Sequence, residues 1–388
     1  MSPRSVMLIA GEPSGDLLAA ELTAALRREI GGSPSFFGAG GARLAETGVE
    51  LACDLTRHAV VGLVEVLRNL RQFKSVFDQL VELALHRRPD VIVCVDFSGF
   101  NRRFARQIRW EIQVRGLTGW KPRIVQYVSP QVWASRPGRA RAMARDFDLV
   151  LAIFPFEKAW YAQHAPGLRV EFVGHPILDR HKAPPRPAPS LPKDALTAPG
   201  QACVVLLPGS RVGELKRHAA VMLEAFRLMA AQLPALRGVM VLPNESLAEL
   251  ARPLAQPDGV KVQVGKLPEA LSQATVAIAS TGTVTMECAL FQVPTVALYK
   301  TSWSTYQIGK RIIRVKYLAM PNILADEPLF PEFIQDAATP PQLSGAALGL
   351  IRDPTRRQAV QRRLGEVLSS LGGPGASVRA AKAILSLP

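Results

Sequence analysis

Along this chain, short runs in which every position is apolar alternate with longer stretches in which apolar residues return every three or four positions. The runs have the length of strands buried on both faces, and the stretches have the period of helices that cover them. In the first half, SVMLIA at 5–10, VIVCVDF at 91–97, RIVQYV at 123–128 and LVLAIF at 149–154 read as strands, with a short one at 35–37. A loop at 12–16 leads into an amphipathic helix over 17–29, which stops before Gly31 and Gly32. Helices are also predicted over 63–87, about 102–115 and about 137–145. The second half repeats the scheme: CVVLLP, GVMVLP, VKVQVG, VAIAS and TVALYK read as strands, separated by helices over about 213–232 and 245–254, a short helix, and a helix after Thr283. The tail over 355–387 is helical in pattern, interrupted at 372–375.

Between the halves the pattern stops. Six prolines fall between 181 and 201, as in an extended linker. The expected fold class is therefore α/β, with two doubly wound, Rossmann-like domains facing a cleft. The expected boundaries are 1–181 for the first domain, 182–200 for the linker, 201–365 for the second domain and 366–388 for a terminal helix.

Two segments of the second half carry candidate chemistry. LLPGSRVGEL at 206–215 and ASTGTVTMECAL at 279–290 each read as strand, tight loop and helix, an arrangement that offers backbone N–H groups and a helix dipole to an anion. Two such turns in one sheet suggest a nucleotide diphosphate site. Gly209 and Ser210 form the first turn, to which Arg211 adds a planar cation, or alternatively pairs with Glu214. Ser280, Thr281, Gly282 and Thr283 offer donors in the second, or simply cap its helix. Glu287, one turn further on, is placed to hold ribose hydroxyls or to favour the helix dipole. GAGGAR at 38–43 misses a dinucleotide fingerprint by having Arg43 where glycine is needed, and neither a GxSxG elbow nor a Walker A motif is present.

Composition narrows the class. A chain of 388 residues that is 48% hydrophobic supports two cores, and it has no run of about 18 apolar residues that would span a membrane. The first eleven residues are too short for a signal peptide, so a cytoplasmic location is expected. Cys53, Cys94, Cys203 and Cys288 lack metal or redox spacing, the six histidines are scattered, and no metal is expected. Net charge is +15, and residues 102–148 hold eleven Lys and Arg against three acids. Such a field favours anionic partners, or is a solvated arginine-rich surface.

GEPSGD at 11–16, VDFSGFN at 95–101, YVSPQVWASR at 127–136, FEK at 156–158, FVGHP at 172–176, LLPGSR at 206–211, STGTVTMECAL at 280–290 and MPNILA at 320–325 stand in the order found in the lipid-A-disaccharide synthase family. The resemblance runs from about residue 5 to residue 330. It implies a glycosyltransferase of the B-type fold that joins UDP-2,3-diacylglucosamine to 2,3-diacylglucosamine 1-phosphate through a β-1,6 link, with inversion and release of UDP and with no cofactor. By resemblance Asp96 is the general base; on its residues alone it equally caps the turn after its strand. Glu12, Ser14 and Asp16 are likewise implied in catalysis or acceptor binding, with helix capping as the other reading of Ser14 and Asp16. Ser129, Gln131 and Trp133 fall on the acceptor side, and Asn322 on the nucleotide side unless it is only a turn residue. Ser135 stands where the family carries an aromatic. The terminal helix is expected to cross back to the first domain.

Acylated substrates imply a peripheral contact with the inner face of an anionic membrane. The segment 58–77 mixes apolar residues with Arg68, Arg71 and Lys74 and suits either an interfacial or a core-packing helix. No nucleic acid is expected as a partner. The alternatives are another UDP-N-acetylglucosamine transferase or 2-epimerase of the same fold, or a nonenzymatic polyanion-binding protein.

Overall fold

The computed structural model describes residues 3–56, 70–180 and 202–388. The predicted linker and most of the predicted interfacial segment 58–77 therefore lie outside the described residues. The chain divides into two units, Met1–Asp179 with Leu371–Pro388, and Arg180–Ser370.

In the first unit the elements run β1 (Ser5–Ala10), α1 (Pro13–Ile30), β2 (Ser35–Gly40), α2 (Ala42–Glu46), β3 (Glu50–Asp54), α3 (Leu70–Arg87), β4 (Val91–Val95), α4 (Ser98–Val114), β5 (Arg123–Tyr127), α5 (Val132–Ser135), α6 (Arg139–Asp146), β6 (Leu149–Ala152), α7 (Pro155–His164) and β7 (Arg169–Phe172). The seven strands are parallel in the order β3-β2-β1-β4-β5-β6-β7. Residues 6–10 and 91–95 are fully buried, which is why all ten positions are apolar. Strand order reverses between β1 and β4, and Ala10 lies beside Val95. The loops leaving these two strands thus emerge side by side at a topological switch point, where open α/β sheets bind ligands.

The second unit contains β8 (Cys203–Leu207), α8 (Val212–Ala230), β9 (Arg237–Leu242), α9 (Glu245–Ala255), β10 (Lys261–Val264), α10 (Leu267–Ser272), β11 (Val276–Ser280), α11 (Thr283–Leu290), β12 (Thr295–Tyr299), α12 (Trp303–Ile312), α13 (Met320–Ala325), β13 (Glu332–Ile334), α14 (Pro340–Arg352) and α15 (Pro354–Ser370). Its six strands are parallel in the order β10-β9-β8-β11-β12-β13. Leu207 pairs with Ala279, so the turns after β8 and β11 also meet at a reversal of strand order. A last helix, α16 (Ala376–Leu385), packs on α1, and its Ala376, Ala380 and Ala381 are fully buried.

Two helices begin earlier than their apolar periodicity suggests. Pro13 at the first position sets the backbone angle of α1, so Ser14 and Asp16 lie in its first turn and not in a loop. α4 begins at Ser98 because Phe97, in a left-handed conformation, turns the chain directly from strand to helix.

Candidate active site

Asp96 follows β4 at the first switch point. It and Phe97 both have positive φ, +50° and +37°. Each such residue costs about 1–3 kcal/mol, and only a surrounding structure that over-determines it keeps it there. The Asp96 N–H donates to the Tyr127 carbonyl at 2.6 Å, and its own carbonyl accepts from Asn101 Nδ2 at 2.8 Å and Gln126 Nε2 at 3.0 Å. With the backbone held this way, the carboxylate meets α1: Ser14 Oγ donates to Asp96 Oδ2 at 3.2 Å. Gly15 eases this approach, since a Cβ there would stand 3.3 Å from Asp96 Cβ, a tight contact. Burial raises the Asp96 pKa above the ordinary carboxylate value, against the opposing hydrogen bonds from Ser14 and the Phe97 N–H.

Glu12 occupies the N-cap position of α1, its carbonyl accepting the Asp16 N–H at 2.8 Å. Asp16 corrects the expectation of a catalytic or substrate-binding carboxylate, and of a cap on its own helix. It is buried and accepts from the N–H groups of Gly41, Arg43 and Leu44 at 2.6, 3.0 and 3.3 Å. The carboxylate thereby caps α2, the helix of the GAGGAR segment, and its oxygens point into the fold.

The loop after β5 divides its three candidates. Ser129 and Trp133 are buried: the serine hydroxyl lies 3.4 Å from the Tyr161 hydroxyl, and Trp133 Nε1 donates to Glu157 Oε1 at 3.0 Å. Both side chains fix the loop from within, which corrects their expected direct role toward an acceptor. Gln131 is exposed at the start of α5. Glu157, in the FEK segment, is the residue that sequence reasoning did not single out. It is fully buried, its second oxygen accepts from the N–H groups of Ile153 and Phe154 at 3.2 and 3.1 Å, and burial pushes its pKa up to about 7. At the position of Ser135 no ring is available; the Trp133 ring instead meets Phe156 edge-on, centroids 4.9 Å apart.

In the second unit the two anion-type turns differ. After β8, Glu214 Oε2 accepts from the N–H groups of Ser210 and Arg211 at 2.9 and 3.3 Å. A carboxylate of the chain itself thus fills the seat that Gly209 and Ser210 were expected to offer a phosphate. Gly209 is required there, having φ +121° and no room for a Cβ beside the Glu214 carboxylate. The Arg211 side chain remains 67% exposed, its guanidinium 3.9 Å from Glu214 Oε1. His218 pins the loop from below, between the Pro208 carbonyl at 2.7 Å and the Lys300 N–H at 3.1 Å. After β11, by contrast, α11 starts at Gly282 without a side-chain cap. Ser280 is buried and Thr281 half-buried, while Gly282 and Thr283 are exposed. Glu287 is half-buried one turn into α11.

Asn322 corrects both readings of it. It lies inside α13, fully buried, and its amide donates to the Phe330 carbonyl and Glu332 Oε1, each at 2.8 Å, while Oδ1 accepts the Phe330 N–H at 2.8 Å. Its donors and acceptor tie α13 to the entrance of β13. The thiols of Cys94, Cys203 and Cys288 are buried, and that of Cys53 is half-buried. Among the described residues no three His, Cys, Asp or Glu side chains gather as a metal site, and no helix is long and apolar enough to cross a membrane.

The family model described as Lipid-A-disaccharide synthetase matches residues 6–384. The lipid-A-disaccharide synthase of Coxiella burnetii is 34% identical over 392 aligned positions, covering 100% of this chain and 99% of the relative. That of Syntrophus aciditrophicus is 36% identical, covering 100% and 98%. Among solved structures, a putative UDP-N-acetylglucosamine 2-epimerase from Listeria monocytogenes superposes with a TM-score of 0.62 at 14% identity, covering 100% of this chain and 97% of that one. Anabaena HepE in complex with UDP-glucose gives a TM-score of 0.53 at 13% identity, covering 99% of each chain. The structural likenesses establish the B-type glycosyltransferase fold, and the sequence matches establish more: this chain belongs to the lipid-A-disaccharide synthetase family of hexosyltransferases.

Proposed function

We propose that the chain transfers the 2,3-diacylglucosaminyl group of its UDP ester to the 6-hydroxyl of 2,3-diacylglucosamine 1-phosphate, forming a β-1,6 link and UDP. The observation that carries this reading is the Asp96 carboxylate, half-buried at a switch point and held by a backbone that is otherwise unfavourable. As the acceptor oxygen attacks the anomeric carbon, Asp96 takes the hydroxyl proton. The bond from that carbon to the diphosphate breaks, its electron pair leaves with UDP, and configuration inverts from α to β. Arg211 and the uncapped start of α11 at Gly282 and Thr283 offset the charge that builds on the diphosphate. Thr281 adds a hydroxyl donor, and Glu287 receives the ribose hydroxyls. Ser14 tunes the base, and Glu12 and Gln131 lie on the acceptor side. Both substrates carry acyl chains, and a chain of charge +15 suits an anionic surface, so it works at the cytoplasmic face of the inner membrane as a peripheral protein.

The proton transfer has a testable pH dependence. Only the ionised carboxylate accepts a proton, so kcat/KM falls as pH drops through the Asp96 pKa, which burial places above the ordinary aspartate value. Ser14 donates to the ionised form; Ser14→Ala makes the carboxyl a weaker acid and moves the acid limb to higher pH. An acid limb left in place by Ser14→Ala removes Ser14 from this role. The reaction itself is tested with purified protein and the two diacyl sugars: UDP appears only when both are present. A sugar nucleotide consumed without acceptor points instead to an epimerase.

A further inference from the structure

The arginine-rich region around α4 and α6 is not uniformly paired. Arg109 bonds Asp148, and Arg115 bonds Glu111 and Glu82. Among the described residues, Arg102, Arg103, Arg136 and Arg139 have no carboxylate within ion-pair distance. They are also close together: Arg139 is held below the usual arginine range by burial and then by the positive charges of Arg136, Arg102 and Arg103. The buried Asp146 faces Arg145, Arg106, Arg102 and Arg109 together, so it offsets little of the cluster's charge.

The side chains of Arg102 and Arg139 line one recess with Ser98 and Gln126, over Met143 and Phe147. Ser98 is the first residue of α4, a helix of 17 residues whose N-cap, Phe97, provides no side-chain cap. The recess therefore combines two guanidinium groups with the positive end of a helix. Gln126 also donates to the Asp96 carbonyl at 3.0 Å, which places the recess one side chain from the proposed base.

We infer that this recess, with Arg102 and Arg139 as its principal ligands and Arg103 and Arg136 as supporting charges, binds the phosphomonoester of the acceptor sugar. The inference rests on the reaction proposed above and explains a selection that reaction requires. Donor and acceptor share the same diacylated sugar and differ in the substituent on the anomeric carbon, a UDP ester in one and a free phosphomonoester in the other. A terminal phosphate dianion fits a cluster of forked donors, which bind it bidentately and relieve their mutual repulsion. An esterified diphosphate presents no such dianion.

The test measures binding by calorimetry in detergent micelles, without turnover, for 2,3-diacylglucosamine 1-phosphate and for its dephosphorylated counterpart. The parent is expected to bind the phosphorylated sugar at least about tenfold more tightly, Arg102→Gln/Arg139→Gln to bind both equally, and Arg139→Lys to keep part of the preference. Parent protein without the preference, or a folded double variant that retains it, overturns the site. Loss of sedimentation with phosphatidylglycerol vesicles in a double variant that keeps its sugar preference assigns the cluster to lipid headgroups and also overturns it. Failure of UDP release in the separate two-sugar assay refutes the reaction and leaves the binding measurement to be judged by itself.

Discussion

Asp96→Asn is expected to lower turnover of the two-sugar reaction by about 10² to 10⁴, the usual contribution of a positioned base, with UDP binding and melting temperature close to the parent's. Asparagine is the informative replacement. It tolerates left-handed backbone better than most residues, so the +50° φ at this position is retained, and the backbone bonds to Tyr127, Asn101 and Gln126 do not involve the side chain. Its amide oxygen still accepts from Ser14. What it lacks is a carboxylate that takes up a proton, so a loss in kcat with an unchanged fold isolates that one property. Parent-like turnover in Asp96→Asn would move the base elsewhere, with Glu12 as the next carboxylate in the same loop pair.

The second large effect is at Arg211. Replacement by alanine is expected to cost about 10² to 10³ in kcat, the range found when a single preorganised donor to a developing negative charge is removed. Arg211→Lys is expected to recover only part of this, because an ammonium does not reproduce the planar fork. Stability separates this prediction from a structural explanation. The turn is held by Glu214 through the backbone N–H groups of Ser210 and Arg211 and by His218 through Pro208, none of which uses the guanidinium. The melting temperature should therefore stay near the parent's. A variant that unfolds, or one that keeps full turnover, contradicts the role given to Arg211.

The central strands and the four loops at the two switch points were legible because burial on both faces leaves β1, β4, β8 and β11 apolar at every position except the terminal Ser5 and Ser280. Of the four edge strands only β10 was, within VKVQVG. β3 and β7 have the sequences ELACD and RVEF, with several positions half-buried or exposed, so no continuous apolar run marks them. β13 is three residues long. Which polar side chains face outward was harder still, because a short motif reads the same whether its carboxylate meets a ligand or the chain's own N–H groups. Asp16 caps a helix that begins 26 residues later, and Asn322 bonds Phe330 and Glu332 across a turn. Glu214 looked like a partner for the Arg211 guanidinium, yet its closer bonds are to backbone N–H groups. Glu157 was in view within FEK, but only the fold brings Trp133 to it.

The most direct measurement of the account is the anomeric configuration of the product, read by proton NMR after the purified protein has been incubated with UDP-2,3-diacylglucosamine and 2,3-diacylglucosamine 1-phosphate. A β-1,6-linked disaccharide 1-phosphate, formed one for one with UDP, is the predicted result, since one base and one displacement invert the anomeric carbon. An α-linked product, or UDP released with no disaccharide, would contradict it.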